Sequence, residues 1–97
     1  MTPEGKVKEQ IKKLLKKYGV FYHMPVMNGM GKPTLDFICC HNSRFIAIEA
    51  KAPGQKATLR QELTMQEMRN AGAYVFLIDG NEHRFDVLEA FLQLVGP

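Results

Sequence analysis

No apolar run in this 97-residue sequence approaches the roughly 20 residues needed to cross a bilayer, which excludes a membrane-spanning helix. The first twenty residues also lack the apolar core of a secretory signal, because Lys6, Lys8, Lys12, Lys13, Lys16 and Lys17 interrupt it. The expected location is therefore cytoplasmic. Cysteine is scarce, with only Cys39 and Cys40 present. Neighbours on a strand point to opposite faces, so the two read as small buried hydrophobes rather than as a disulfide or a zinc pair. His23, His41 and His83 fall in three separate segments without ligand spacing and read as surface or turn residues. No internal repeat or second domain is apparent, and residues 1–97 read as one small domain.

What is present is a globular composition, 45% apolar, with a net charge of +3. The placement of that charge says more than its size. Six of the 13 basic residues lie between Lys6 and Lys17, and Lys51, Lys56, Arg60 and Arg69 follow in the second half. Such charge attracts a polyanion and makes its binding salt-dependent, although Lys-rich surface helices also occur in proteins that touch no nucleic acid.

Thr2 as N-cap, Pro3 at the first helical position and apolar residues at Val7, Ile11, Leu14, Leu15 and Tyr18 predict an amphipathic helix over residues 3–18, closed by Gly19. A strand is expected over 20–26, ending at Pro25 or forming a sheet edge. Residues 27–33 then form a glycine-containing loop carrying Lys32. A second helix is expected from Thr58 to about Ala71, with Leu59, Leu63, Met65 or Gln66, and Met68 on its inward side. Residues 73–78 read as a strand buried on both faces, and a last helix is expected near Asp86, which with Glu89 makes a capping-box pattern.

Between these elements, residues 34–51 read as a hairpin broken at His41-Asn42-Ser43-Arg44. A two-residue loop at Asn42 and Ser43 pairs Arg44 with His41 and Phe45 with Cys40, and counting outward brings Glu49 opposite Asp36. Like charges facing each other, with Cβ atoms roughly 5 Å apart, destabilise a sheet unless something offsets them. A divalent cation would do so. Strand alternation puts Lys51 on the same face as Glu49, with Ile38, Cys40, Phe45 and Ala47, while Phe37, Cys39, Ile46 and Ile48 share the other, so both faces look apolar enough to be covered. The plainer alternative is a surface ion-pair cluster, worth about 1 kcal/mol or less per pair.

An Asp opening one strand, followed by Glu-x-Lys closing the next, resembles the PD-(D/E)xK nuclease superfamily. Within it, Gly29-Met30-Gly31 ahead of Asp36, the run Glu49-Ala50-Lys51-Ala52-Pro53-Gly54, and Gln61 followed by Ala71-Gly72 are similar to the VRR-NUC (virus-type replication-repair nuclease) domains of small stand-alone phage and bacterial type. The sequence departs from that pattern in one place, with Leu35 rather than proline before Asp36. The resemblance implies an α/β, restriction-endonuclease-like αβββαβ core, a central mixed sheet with helices on both faces, plus a C-terminal helix. It further implies a metal-dependent DNA endonuclease acting on four-way or other branched DNA as a homodimer, in a bacterial or phage-infected cell, without a small-molecule cofactor. An inactive nucleic-acid-binding module of the same fold is the alternative.

On this reading Asp36 and Glu49, with the Ala50 carbonyl, are candidate ligands for Mg²⁺ or Mn²⁺, since hard cations take oxygen ligands and keep several waters. Lys51 would orient or deprotonate the attacking water. The resemblance adds Glu4 on the first helix, with Glu9 as its competitor, and assigns Gln61 to the active site. Thr58-x-x-Gln61 is equally a capping box, and Glu4 equally a carboxylate complementing its helix dipole. Lys32, Lys56 and Arg60 are candidate DNA contacts. Phe21, Tyr22, Met24 and Met27, or the last helix, are candidates for a dimer interface.

Overall fold

The computed structural model of the chain describes residues 1–26, 29 and 31–96. Of the residues considered above, Met27 and Met30 lie outside that set. Helix α1, Pro3–Lys17, starts where the Thr2 hydroxyl accepts the Gly5 N–H at 3.0 Å. It ends where Gly19 takes a positive φ of 67°, so that the Val20 N–H reaches back to the Leu15 carbonyl at 2.9 Å and the Gly19 N–H to Lys16 at 3.1 Å. Helix α2, Leu59–Asn70, stops by the same device at Gly72, with the Ala73 N–H on the Met68 carbonyl. The left-handed glycine lets both chains turn back toward the sheet while the last carbonyls stay satisfied.

Four strands form one sheet in chain order: β1 Phe21–His23, β2 Phe37–His41, β3 Arg44–Ala50 and β4 Tyr74–Ile78. The first three are antiparallel neighbours, and β4 joins β3 in parallel after the α2 crossover. Strand β1 is shorter than the 20–26 expected and ends ahead of Pro25, which has no N–H to donate. The β2–β3 turn is the expected two-residue loop. Asn42 and Ser43 have φ of 49° and 65°, the left-handed pair of a type I′ hairpin, and the register runs His41↔Arg44 to Phe37↔Ile48.

One face of the sheet, with Phe37, Cys39, Ile46, Ile48 and Ile78, is covered by α1 and by helix α3, Glu82–Val95, through Ile11, Leu15, Leu88 and Leu92. The other is covered by α2, where Leu35, Ala47 and Met65 are buried together with Ile38, Met68 and Val75 around them. Leu35, standing where proline was anticipated, is thus a core residue beneath α2. Cover on this side is partial, contrary to expectation: Phe21, Cys40 and Phe45 lie in one cross-strand row and all three are exposed.

Three further expectations are corrected. Leu59 and Leu63 do not face inward; they are 72% and 62% exposed. Gln61 points at the sheet, and at 100° per residue that phase turns Met65 and Met68 inward and the two leucines out. Helix α3 begins at Glu82 rather than near Asp86, because the Asn81 side chain accepts the His83 and Arg84 N–H groups; Asp86 and Glu89 lie within the helix, and Glu89 instead accepts from Lys17 and the Tyr18 hydroxyl, tying α3 to α1. His41 is buried rather than at the surface, packed against Gly96, and its Nε2 has no hydrogen-bond partner among the described residues.

Strand β4 lies at an edge of the sheet. The Lys51 N–H donates to Ile78 O at 2.9 Å, so in the parallel ladder the carbonyls of Val75 and Leu77 point away from β3. Arg69 and Arg84 meet these two carbonyls through long contacts of 3.5 and 3.4 Å. Among the described residues no helix is long and apolar enough to cross a membrane.

Candidate active site

The β2–β3 register, extended one step beyond its last strand pair, sets Asp36 across from Glu49. Each carboxylate is held by a backbone donor of the opposing segment: Glu49 Oε1 accepts the Asp36 N–H at 3.3 Å, and Asp36 Oδ2 accepts the Ala50 N–H at 2.9 Å. Parallel pairing spends the Lys51 N–H on β4, so the peptide groups of Ala50 turn to the β2 side. Its carbonyl therefore lies on the edge shared with the two carboxylates. Glu49 is buried, 4% exposed, whereas Asp36 is half-buried.

Removal from water, and next the charge of Asp36, push the Glu49 carboxyl up to about 7; the Asp36 backbone donor and the Lys51 charge pull the other way. Lys51 is half-buried and close enough to exert that pull, yet it forms no ion pair among the described residues. It is a cation held near the carboxylates without being consumed by them.

Gln61 forms the expected capping box and also reaches Glu49. Its Oε1 accepts the Thr58 N–H at 2.9 Å, and the Thr58 hydroxyl accepts the Gln61 N–H at 3.2 Å, completing the capping box. Its Nε2 meanwhile donates to Glu49 Oε2 at 2.8 Å. Both Glu49 oxygens are thereby fixed.

The first helix contributes through a residue the sequence did not single out. Lys8 Nζ lies 3.4 Å from Glu4 Oε2 and 3.8 Å from Asp36 Oδ1. Glu4 is thus linked to the pair through Lys8, while Glu9 pairs with Lys12 instead. The signal for Lys8 was its i,i+4 spacing from Glu4, hidden among six lysines on one helix.

At Gln61 a groove of about 480 Å³ lies between residues 31–34 and α2, lined also by Lys32, Thr34, Thr58, Arg60 and Thr64. Lys32 is salt-bridged to Glu67 at 2.7 Å, with both groups well exposed; Lys56 is exposed in the loop before α2. A second groove between α1 and α3, about 550 Å³, carries both signs of charge, from Lys13 and Lys17 to Glu82 and Asp86, and does not include the carboxylate pair.

Among the described residues no three His, Cys, Asp or Glu side chains cluster as a metal cage. What the site offers is two carboxylates and a backbone carbonyl. That oxygen set suits a hard divalent cation, which commonly takes one or two carboxylates and keeps its waters, and the proton held by Glu49 near neutrality is the kind of charge compensation a cation replaces.

A mixed sheet with helices on both faces, closed by a C-terminal helix, is the arrangement of the restriction-endonuclease-like class of folds. No protein-family model and no curated protein matches the chain. Among solved structures, a chain described as a "VRR_NUC domain" superposes with a TM-score of 0.79 over 94% of this chain and 99% of that one, at 19% sequence identity. The chain has the fold of a VRR-NUC domain.

Proposed function

We propose that residues 1–97 act as a nuclease domain that hydrolyses DNA phosphodiester bonds with Mg²⁺ or Mn²⁺, selective for branched DNA such as four-way junctions and working as a homodimer. The observation that carries this reading is the convergence of Asp36 and Glu49, a buried carboxylate and its half-buried neighbour, each fixed by the other segment's backbone N–H. A like-charged pair in that position is costly unless a cation or a proton compensates it, and its oxygens suit a divalent ion.

Asp36, Glu49 and the Ala50 carbonyl would hold the cation. When bound, it supplies positive charge to the scissile phosphate and a place where water loses its proton at neutral pH. Lys51 orients the attacking water and adds positive charge beside the phosphate, a role suited to a compact ammonium with three donors. Gln61 keeps Glu49 aimed. Arg60, Lys32 and Lys56 line the approach and attract the phosphate backbone. A homodimer would supply the paired cuts that junction resolution requires: among the described residues one chain offers one such carboxylate pair, and two copies supply two.

The test is cleavage of a labelled four-way junction beside matched linear duplex, flap and single strand, with Mg²⁺, Mn²⁺ or EDTA. Lys51→Ala should reduce the rate by about 10²–10³-fold, the span expected when one preorganised donor to developing charge is removed. Paired, metal-dependent nicks across the junction support the full reading. Cleavage of the other substrates alone keeps the nuclease and removes the junction preference; metal-independent inertness on every DNA overturns it.

A further inference from the structure

Of the four carboxylate oxygens in the site, three are held by fixed donors: Glu49 Oε1 by the Asp36 N–H, Glu49 Oε2 by Gln61, and Asp36 Oδ2 by the Ala50 N–H. The fourth, Asp36 Oδ1, meets Lys8 at 3.8 Å and no other charged partner among the described residues. Lys8 is also 3.4 Å from Glu4 Oε2, so its ammonium stands between the two carboxylates that α1 and the β2 entry bring together. Its contacts are long and its side chain is 30% exposed. It is a tether at the end of a flexible four-carbon stem, not a locked pair.

We infer that Lys8 is a resident cation that occupies the Asp36–Glu4 position when no metal is bound, and that phosphate draws it away to admit the divalent ion. This inference rests on the metal-dependent nuclease reading above. Its chemistry is a competition: Lys8 and the divalent cation share Asp36 Oδ1, so each weakens the other's hold. A phosphodiester entering the site offers Lys8 an alternative anionic partner. Once Lys8 moves to it, Asp36 Oδ1 and Glu4 are free for the metal, and by linkage the metal in turn favours the phosphate-bound position of Lys8. DNA and metal then load cooperatively, and Glu4 Oε2 is released from Lys8 in that state. Lys8 is a positioning residue on this account, and its effect is read in binding rather than in the chemical step.

The experiment is a Mn²⁺ titration of the whole chain, followed by the paramagnetic signal of free Mn²⁺, with and without a phosphorothioate-protected duplex. The proteins are the parent, Lys8→Met, Lys12→Met and Asp36→Asn. Lys12→Met removes the same charge one turn along α1, where its partner is Glu9, and controls for the general loss of positive potential. Lys8→Met should tighten Mn²⁺ binding without DNA by roughly threefold to tenfold, more than Lys12→Met does, and the further tightening produced by DNA in the parent should shrink. Circular-dichroism melts with EDTA confirm that each variant is folded at the titration temperature. Equal affinities for the Lys8 and Lys12 variants, or weaker binding by Lys8→Met, overturn the inference while leaving the metal site standing. If the parent binds Mn²⁺ no better than Asp36→Asn, it is the metal-dependent reading itself that fails.

Discussion

Gln61 Nε2 lies 2.8 Å from Glu49 Oε2 while Oε1 of the same amide accepts the Thr58 N–H, so the start of α2 and the buried carboxylate are joined through one side chain. Helix formation and site geometry are therefore coupled. Thr58→Ala removes the hydroxyl cap but spares the Glu49 contact, and should cost about 1 kcal/mol in urea melts with little change in cleavage rate. Gln61→Ala should cost a similar amount of stability and also slow cleavage by about 10–100-fold, as is typical when a ligand loses its orienting partner. Equal rates for the two variants would show that the Glu49 contact has no functional weight.

Burial, together with Asp36, holds the Glu49 carboxyl up at about 7 against an ordinary 4.5. The folded chain binds that proton more tightly than the unfolded chain does. The resulting stability is complete below about pH 4.5 and is lost as pH rises through about 7. Metal-free protein should thus melt lower at pH 8 than at pH 5. Glu49→Gln cannot ionise and should flatten this dependence while losing activity. With Mn²⁺ the sense reverses, because the metal needs the ionised carboxylate, and affinity should climb up to about pH 7 and then level off. A melting temperature independent of pH across this window would contradict the assignment.

Ser43 holds a left-handed φ of 65° without being glycine. Ser43→Gly should stabilise the fold by about 0.5–1 kcal/mol and leave cleavage unchanged, since the site lies at the far end of the hairpin. Inserting one residue into the same turn is the opposite experiment. It shifts the register by one and turns Asp36 to the wrong face, so Mn²⁺ binding should disappear even where circular dichroism shows a folded sheet.

Met65 is 4% exposed and Leu63 is 62% exposed on the same helix. Met65→Ala should destabilise by about 2–4 kcal/mol, whereas Leu63→Lys should stay within about 0.5 kcal/mol in the monomer. Comparable losses from both would mean that α2 sits on the sheet in a different rotational phase.

The hairpin, its register and the helix boundaries at Thr2, Gly19, Thr58 and Gly72 were legible because each rests on a local rule: turn residues, alternation, caps. Asp36 and Glu49 followed from counting outward from Asn42 and Ser43. The face of α2 was not legible, because Leu59 and Leu63 carry the apolar spacing but Gln61, a polar residue, sets the phase by reaching Glu49. The start of α3 was missed for a related reason: two cap patterns compete there, and Asn81 supplies two bonds to the backbone where the Asp86 pattern promised one exchange. Lys8 was unreadable because contact between α1 and the residue preceding β2 is purely tertiary, and its one local mark, the i,i+4 spacing from Glu4, is matched by Glu9 and Lys13.

The guanidinium groups of Arg69 and Arg84 on the outward carbonyls of β4 bear on the chain's colloidal behaviour. Residues 73–78, with six uncharged, mostly β-forming side chains and no proline, are the segment of this protein best suited to cross-β stacking. At an open edge they would template a neighbour strand by strand. Two charged side chains laid over the acceptors that such a neighbour needs make that approach costly. A second copy is thereby disfavoured from continuing the sheet past β4, its edge strand among the described residues.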